Sequence, residues 1–170
     1  MTLTGDEILA RLASMGIATT THDHPPVFTV EQAREYTHHL PGGHCKNLFL
    51  KDKKGRLWLV TLLDDRQVDL NALSKRLGAA RFSFGRPELL REALGVEPGS
   101  VTPLAIVNDV AGRVTHVLDA GLLAAGTVNC HPLSNDATTA IGSTDLLRFV
   151  RETGHEPVIL DLDGEALTGA

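Results

Sequence analysis

Residues 47–63, "NLFLKDKKGRLWLVTLL", constrain the fold more than any other stretch of this chain. Two apolar runs flank Asp52-Lys53-Lys54-Gly55, a polar turn that ends in glycine, so the segment reads as a β-hairpin. A hairpin implies antiparallel pairing, and a second one is expected from "GTVNCHPL" and "DATTAIG". A third is expected where "TPLAIVND" and "RVTHVLD" are joined by Asp109-Val110-Ala111-Gly112. "ATTTHD", "ARFSF" and "EPVILDL" supply further strands. Helices alternate with them. "TGDEILARLASMG" has a Thr4/Glu7 capping box and an apolar stripe, and "TVEQAREY" opens on Thr29 and Gln32. "DLNALSKRLG" is capped by Asp69, "PELLREALG" starts with Pro87, and Ser143 is expected to cap "TDLLRFVRETG". The sum is a mixed α/β domain: seven or eight strands in a partly closed, mostly antiparallel sheet, with about five helices outside it.

The chain's 170 residues fit one domain, 1–170, with a frayed tail at 163–170. No apolar run approaches the roughly 18 residues a membrane span needs. The acidic start "MTLTGDEILARL" is unlike a signal peptide, and two cysteines suit a reducing compartment, so a cytoplasmic location is expected. Net charge is −5, which taken alone argues against a nucleic-acid partner. Its distribution argues the other way. The stretch from Lys46 to Arg91 holds eleven basic and five acidic residues (+6), against five basic and sixteen acidic elsewhere (−11). Such asymmetry fits one face turned to a polyanion, and equally a set of solvated helix and hairpin faces.

Chemistry concentrates in "GGHCKNLFLKD" (42–52) and "TVNCHPLSND" (127–136). His44-Cys45 and Cys130-His131 offer four soft ligands, the number a structural zinc takes. Adjacent side chains on a strand face opposite ways, however, and neither Cys-x2-4-Cys nor His-x3-5-His spacing occurs, so no metal is expected. Cys45 has cationic neighbours that would lower a thiol pKa; the reading adopted is that Cys45 and Cys130 are small buried hydrophobes. No G-x-S-x-G, Walker loop or G-x-G-x-x-G is present, and no cofactor is expected. Lys46 precedes a strand in which it shares a side with Leu48 and Leu50. If that side is interior, the ammonium needs a partner: an aspartate, or a phosphate or carboxylate of a ligand. The residues alone leave both open.

Five stretches, taken together, resemble the YbaK/prolyl-tRNA synthetase editing-domain family, and within it the freestanding branch that deacylates alanyl-tRNA(Pro). They are "HPPVFTVEQA" (24–33), "KNLFLKD" (46–52), "LSKRLGAARFSFGRPELL" (73–90), "LGVEPGSVTPLAIVND" (94–109) and "NCHPLSNDATTAI" (129–141). The resemblance implies a twisted, barrel-like sheet surrounded by helices, and hydrolysis of the ester between a wrong amino acid and the terminal adenosine of a tRNA. Lys46 matches the family lysine and His131 the histidine of the freestanding branch, and these two are the expected catalytic residues. Asn47, beside the lysine, and the G-x-x-x-P stretch Gly99, Ser100, Val101, Thr102 and Pro103 are the expected substrate-binding residues. Pro98-Gly99-Ser100 is a turn able to present successive backbone N–H groups to an ester oxyanion. The implied partners are the acceptor end of mischarged tRNA(Pro) and, as a second candidate, prolyl-tRNA synthetase; no DNA and no membrane is expected. The alternatives are deacylation of a cysteinyl or seryl tRNA, and a non-catalytic module that binds a tRNA or a synthetase.

Overall fold

The computed structural model describes residues 2–162. Its central strand, β2 (Gly43–Asp52), pairs with β3 (Leu57–Leu63) from Cys45↔Leu63 to Lys51↔Leu57, the expected hairpin. The turn is held by Asp52, 3% exposed, whose carboxylate accepts from the N–H groups of Lys54 (2.9 Å) and Arg56 (3.0 Å) and from the Trp58 indole (3.3 Å). β2 begins four residues before the apolar run, so Lys46 lies inside the strand rather than ahead of it.

On its other edge β2 is shared. At its start, Gly43 and His44 pair in parallel with β6 (Thr127–Cys130); at its end, Leu50–Asp52 pair antiparallel with β4 (Phe82–Phe84). Between them the sheet forks. β7 (Ala137–Gly142) and β1 (Thr19–Asp23) continue from β6, while β5 (Val114–Asp119) and β8 (Val158–Leu160) continue from β3. The strand order is β1-β7-β6-β2-β3-β5-β8, with β4 beside β2, and four of the seven ladders are antiparallel.

Both faces of the sheet are covered. Phe49, Leu57, Leu59, Val128 and Ile141 face a core closed by α1 (Gly5–Ser14), α4 (Pro87–Leu94) and α6 (Ser143–Glu152), which contribute Ile8, Leu12, Leu94 and Phe149. Leu50, Trp58, Val60 and Leu62 face a smaller core with Leu73 of α3 (Leu70–Arg76). Each fully buried leucine contributes about 2 kcal/mol by removal from water. No helix among the described residues is long and apolar enough to cross a membrane.

Three sequence expectations are corrected. "TPLAIVND" is not a strand: Pro103–Asn108 form a 3-10 helix capped by Thr102, with Pro103 to Ile106 buried. A short, uniformly apolar run carries no period to tell strand from buried helix, and Pro103 sits well at a helix start. The Asp109–Gly112 turn therefore closes no hairpin. Asp109 instead accepts from Arg113 N–H (3.0 Å) and Val114 N–H (2.8 Å), with His155 Nε2 2.8 Å away. Ser143 is the first helical residue rather than the cap; Gly142 is the cap, and the Ser143 hydroxyl donates to the Leu122 carbonyl (2.9 Å). A sixth α-helix, α5 (Ala120–Ala124), has only five residues, too few for a periodic signal. The anticipated frayed tail at 163–170 lies outside the described residues.

Two buried polar groups lock this arrangement. Asp119, fully buried, accepts from Leu63 N–H (3.0 Å), Gly121 N–H (2.8 Å) and the Arg66 guanidinium (Nε 3.0 Å, Nη2 3.3 Å). It ties the end of β3, the following turn and α5 into one knot. His116, 1% exposed on β5, lies with Nε2 3.1 Å from Thr61 Oγ1, whose hydroxyl donates to Asn47 Oδ1 at 2.7 Å. The Thr61 proton is committed to Asn47, so His116 donates through Nε2. Its Nδ1 is left without a partner among the described residues. Burial, and secondarily the nearby His155, push the His116 pKa down to about 3.

Asp119→Ala should cost about 3 kcal/mol, because it removes one side of a buried ion pair and a helix cap. Urea denaturation measures this, and a loss below about 1 kcal/mol would show that the knot does not support the fold. His116 supplies a pH signature. Its folded pKa is depressed, so its contribution is intact above the unfolded value near 6.5 and is lost as pH falls toward 3, where the unfolded chain binds a proton the native state refuses. Between pH 7 and pH 5 His116→Gln should lose about 2 kcal/mol less stability than the parent. Parallel stability–pH curves for the two proteins would contradict this.

Candidate functional site

The fork in β2 opens into a cavity of about 220 Å3. One wall is α2 (Val30–Thr37) with the segment before it, Val27–Thr29. The opposite wall is Cys45, Lys46 and Asn47 of β2 with Asn129, Cys130 and His131 of the β6 end, and the Gly99–Val101 turn closes a third side. The geometry follows from local structure: β6 leaves β2 after His44, so the β2 edge beyond it has no strand neighbour until Leu50.

Of the eight residues singled out from sequence, five line the cavity: Lys46, Asn47, Gly99, Val101 and His131. The other three do not reach it. Ser100 and Thr102 are 6% and 0% exposed, and Pro103 starts the buried 3-10 helix. Gly99 has φ +90°, a conformation that favours glycine, and the Ser100 N–H closes its turn on the Glu97 carbonyl at 2.9 Å. The expected run of successive free donors is thus interrupted at Ser100, leaving the N–H groups of Gly99 and Val101 as the candidates in this turn.

Asn47 ties the walls together. Its Nδ2 donates to the Val101 carbonyl (3.2 Å), while its Oδ1 is taken by Thr61, which sets the amide's orientation. Lys46, its neighbour, belongs to the other side of the strand. Its ammonium donates to the backbone carbonyl of Arg66, and the buried carboxylate next to that turn, Asp119, is paired with the Arg66 side chain. The interior-facing lysine thus has a protein partner, but a carbonyl rather than an aspartate.

His131 is fixed by its Nδ1, which donates to the Ala137 carbonyl at 2.9 Å and leaves Nε2 as a lone pair. Burial, with help from the nearby His24, holds its pKa below the ordinary histidine value despite opposing pulls from the Ala137 bond and Asp136. At neutral pH it is an uncharged acceptor. His24 itself stacks on Tyr36 (5.6 Å between ring centroids, 9° between planes) and lies 6.3 Å from His131. Its Nδ1 donates to the Pro25 carbonyl (2.8 Å), so its Nε2 accepts from the Thr138 hydroxyl (2.8 Å).

The thiols are suppressed. Burial pushes Cys45 up to about 12, and its Sγ donates to the Asn129 carbonyl at 3.3 Å; Cys130, 3% exposed, is also raised by burial. Neither is a thiolate at neutral pH. The Cys-His pairs also fail to converge. His44 Nε2 binds the Leu40 carbonyl (3.0 Å) while His131 turns to Ala137, and no group of three metal-ligating side chains occurs among the described residues.

Sequence reasoning overlooked several cavity neighbours. His24, Phe28 and Thr138 had no assigned role, although "HPPVFT" places a histidine and an aromatic around two prolines. Asn129 went unremarked as well. Its Nδ2 donates to the Pro41 (3.0 Å) and Gly43 (3.2 Å) carbonyls, tying the loop before β2 to β6, and its buried Oδ1 has no partner among the described residues.

A family model described as the aminoacyl-tRNA editing domain matches residues 24–149. A Danio rerio protein, "Prolyl-tRNA synthetase associated domain-containing protein 1", is 48% identical over 160 residues, covering 93% of this chain and 85% of the relative. The "Prolyl-tRNA editing protein ProX" of Acetoanaerobium sticklandii is 32% identical over 149 residues, covering 87% of this chain and 91% of that one. Among solved structures, a candidate trans-editing enzyme for prolyl-tRNA synthetase superposes with a TM-score of 0.71 at 21% identity, over 94% of this chain and 98% of the other, a match of fold. The span and strength of these matches lead to one conclusion: this chain belongs to the aminoacyl-tRNA editing domain family.

Proposed function

We propose that this protein is a trans-editing deacylase that hydrolyses the ester of alanyl-tRNA(Pro). The carrying observation is the small cavity in which Asn47, a neutral His131 with a free Nε2 and the Gly99–Val101 turn converge, in a chain of the editing family. The name of the Acetoanaerobium sticklandii relative supports the prolyl-tRNA assignment.

An aminoacyl ester is already activated, so a catalyst gains most from positioning and from donors aimed at the developing oxyanion. The N–H groups of Gly99 and Val101 are the candidate donors. His131 Nε2 accepts a proton from, or orients, the attacking water or the vicinal ribose hydroxyl. Lys46 holds the phosphate of the terminal adenosine: its flexible stem lets the ammonium leave the Arg66 carbonyl for a stronger anionic partner. Discrimination of alanine from proline would rest on the shape of the walls around the aminoacyl group, since close-packed walls do not yield cheaply to a pyrrolidine ring. Glycine and serine are poorly excluded, since a missing methyl forfeits only about 1 kcal/mol.

The tRNA body lies along β2. Lys51 is about 17 Å from Lys46 at roughly 3.3 Å per residue. Around it, Lys53 N–H donates to the Arg81 carbonyl (3.1 Å), and Lys51, Lys53 and Arg86 border one surface depression beside the exposed Phe84. Prolyl-tRNA synthetase remains the second proposed partner.

Initial rates on Ala-, Ser-, Cys- and Pro-tRNA(Pro) at matched concentration should show alanine preferred and proline untouched. In the same assay folded Lys46→Ala should lose about 30- to 1000-fold, the loss of about 2–4 kcal/mol of transition-state stabilisation. A preference for cysteine or serine would move the protein to another substrate, turnover of Pro-tRNA(Pro) would sink the editing role, and binding without turnover would leave a tRNA-binding module. Charge reversal at Lys53, Lys54 or Arg81 should raise KM more than it lowers kcat and flatten the salt dependence. Arg148 and Arg151 of α6, paired with Glu152 and Glu156, are the controls; larger losses there would misplace the surface.

A further inference from the structure

The cavity is too small for the whole end of the substrate. Pockets that bury most of a drug-sized ligand run from about 300 to 1000 Å3, against about 220 Å3 here. On the proposed function, on which this inference rests, the aminoacyl group enters and the terminal nucleoside stays at the rim. A purine left there would have one face against protein and needs an apolar plane to lie on.

The rim supplies such a plane. Phe28 borders the cavity and is 68% exposed, while its neighbour Val27 is 2% exposed. The exposure does not come with a loose backbone. Val27 is held from both sides by Asn135, which accepts from its N–H (3.0 Å) and donates through Nδ2 to its carbonyl (2.8 Å). The Phe28 N–H donates to Gln32 Oε1 (2.8 Å), and the next residue, Thr29, caps α2 by accepting from Gln32 N–H (3.1 Å). Four hydrogen bonds thus fix the segment that presents this ring to solvent. Across the rim, a Cβ built on Gly99 would stand 3.2 Å from Phe28 Cδ1, so the ring reaches over the turn that bears the candidate oxyanion donors. An exposed phenyl group forfeits its burial energy, and it is held where the substrate's base must stop.

We infer that Phe28 is the stacking platform for the terminal adenine of the tRNA. One base stacked on an aromatic side chain contributes to affinity whatever the base's hydrogen-bonding edge, so this contact holds the nucleoside without reading sequence. It would fix the ribose, and with it the ester, relative to the cavity mouth.

The test uses an acceptor-stem hairpin ending in CCA and the same hairpin with an abasic 3′-terminal residue. Equilibrium binding of each to the parent protein, Phe28→Trp and Phe28→Leu is measured beside deacylation of alanyl-tRNA(Pro). The parent should bind the adenine-ended hairpin about 5- to 150-fold more tightly than the abasic one, the range for one stacked base. Phe28→Trp should keep that ratio. Phe28→Leu, which still covers the turn but has no π face, should bring it near one and raise KM for deacylation. Equal binding of both hairpins by the parent, no binding of either, or an undiminished ratio in Phe28→Leu would overturn the platform. If the parent cleaves no aminoacyl-tRNA yet shows an adenine preference that Phe28→Leu abolishes, the deacylase reading fails and the platform stands.

Discussion

The structure depends on one strand serving two partners along a single edge. β2 is ten residues long, and its edge away from β3 is taken by β6 at the start and by β4 at the end. A continuous ladder there would have satisfied the backbone but left no opening. Splitting it leaves a stretch whose groups must be met by side chains and loops. Gly85 N–H meets one of them, the Phe49 carbonyl, at 2.9 Å where β4 begins, and the Asn47 side chain bridges the opening by donating to the Val101 carbonyl. The cavity therefore follows from the topology. It lies where two sub-sheets diverge, a natural position for convergent polar groups backed by a rigid scaffold.

A gap of this kind is held open by buried polar groups on either side of it. Asn47, Thr61 and His116 run across β2, β3 and β5 as a row of hydrogen bonds, and the row ends in an imidazole kept neutral by burial. Asp119 fastens the turn whose Arg66 carbonyl receives the Lys46 ammonium. Lone polar groups at these depths would destabilise the core, whereas these, His116 Nδ1 excepted, are met by groups from another strand or turn. The two rows meet at adjacent residues, Asn47 and Lys46, which point to opposite sides of the same strand. That is why one short stretch can serve both the cavity and the turn beyond it.

Much of this was legible in the sequence, for identifiable reasons. The β2–β3 hairpin, the Thr4, Thr29 and Asp69 helix starts and the αL Gly95 stop are local signals, and the structure realises them. The strand expected at "TPLAIVND" failed because burial on all sides erases periodicity, and the Ser143 cap failed because its hydroxyl found the Leu122 carbonyl, a partner 21 residues away. Pairing between distant strands was beyond the reach of local pattern, since the parallel ladders β2–β6, β3–β5 and β5–β8 leave no turn signature. The site divides in the same way. Lys46, Asn47 and His131 carry recognisable chemistry, but His24, Thr138, Asn129 and Thr61 matter through contacts made across 14 to 114 residues of separation, as the Thr61–Asn47 and His24–Thr138 bonds illustrate.

The chemical character of the cavity is restraint. Two cysteines stand at its wall with their thiols protonated, His131 is held neutral, and the Lys46 ammonium is already engaged by a carbonyl. A hydrolase acting on an amide would need a strong nucleophile or a metal-activated water to raise so unreactive a carbonyl to a tetrahedral state. An aminoacyl ester needs far less, because its alkoxide leaving group carries a neighbouring hydroxyl and its carbonyl is less stabilised by resonance than an amide's. For that reaction a reactive side chain would be a liability: it could trap the acyl group covalently, whereas a site built of oriented dipoles releases it to water. Fixed hydrogen-bonding groups and suppressed nucleophiles suit such a reaction, and both line the cavity that opens where the outer edge of β2 divides.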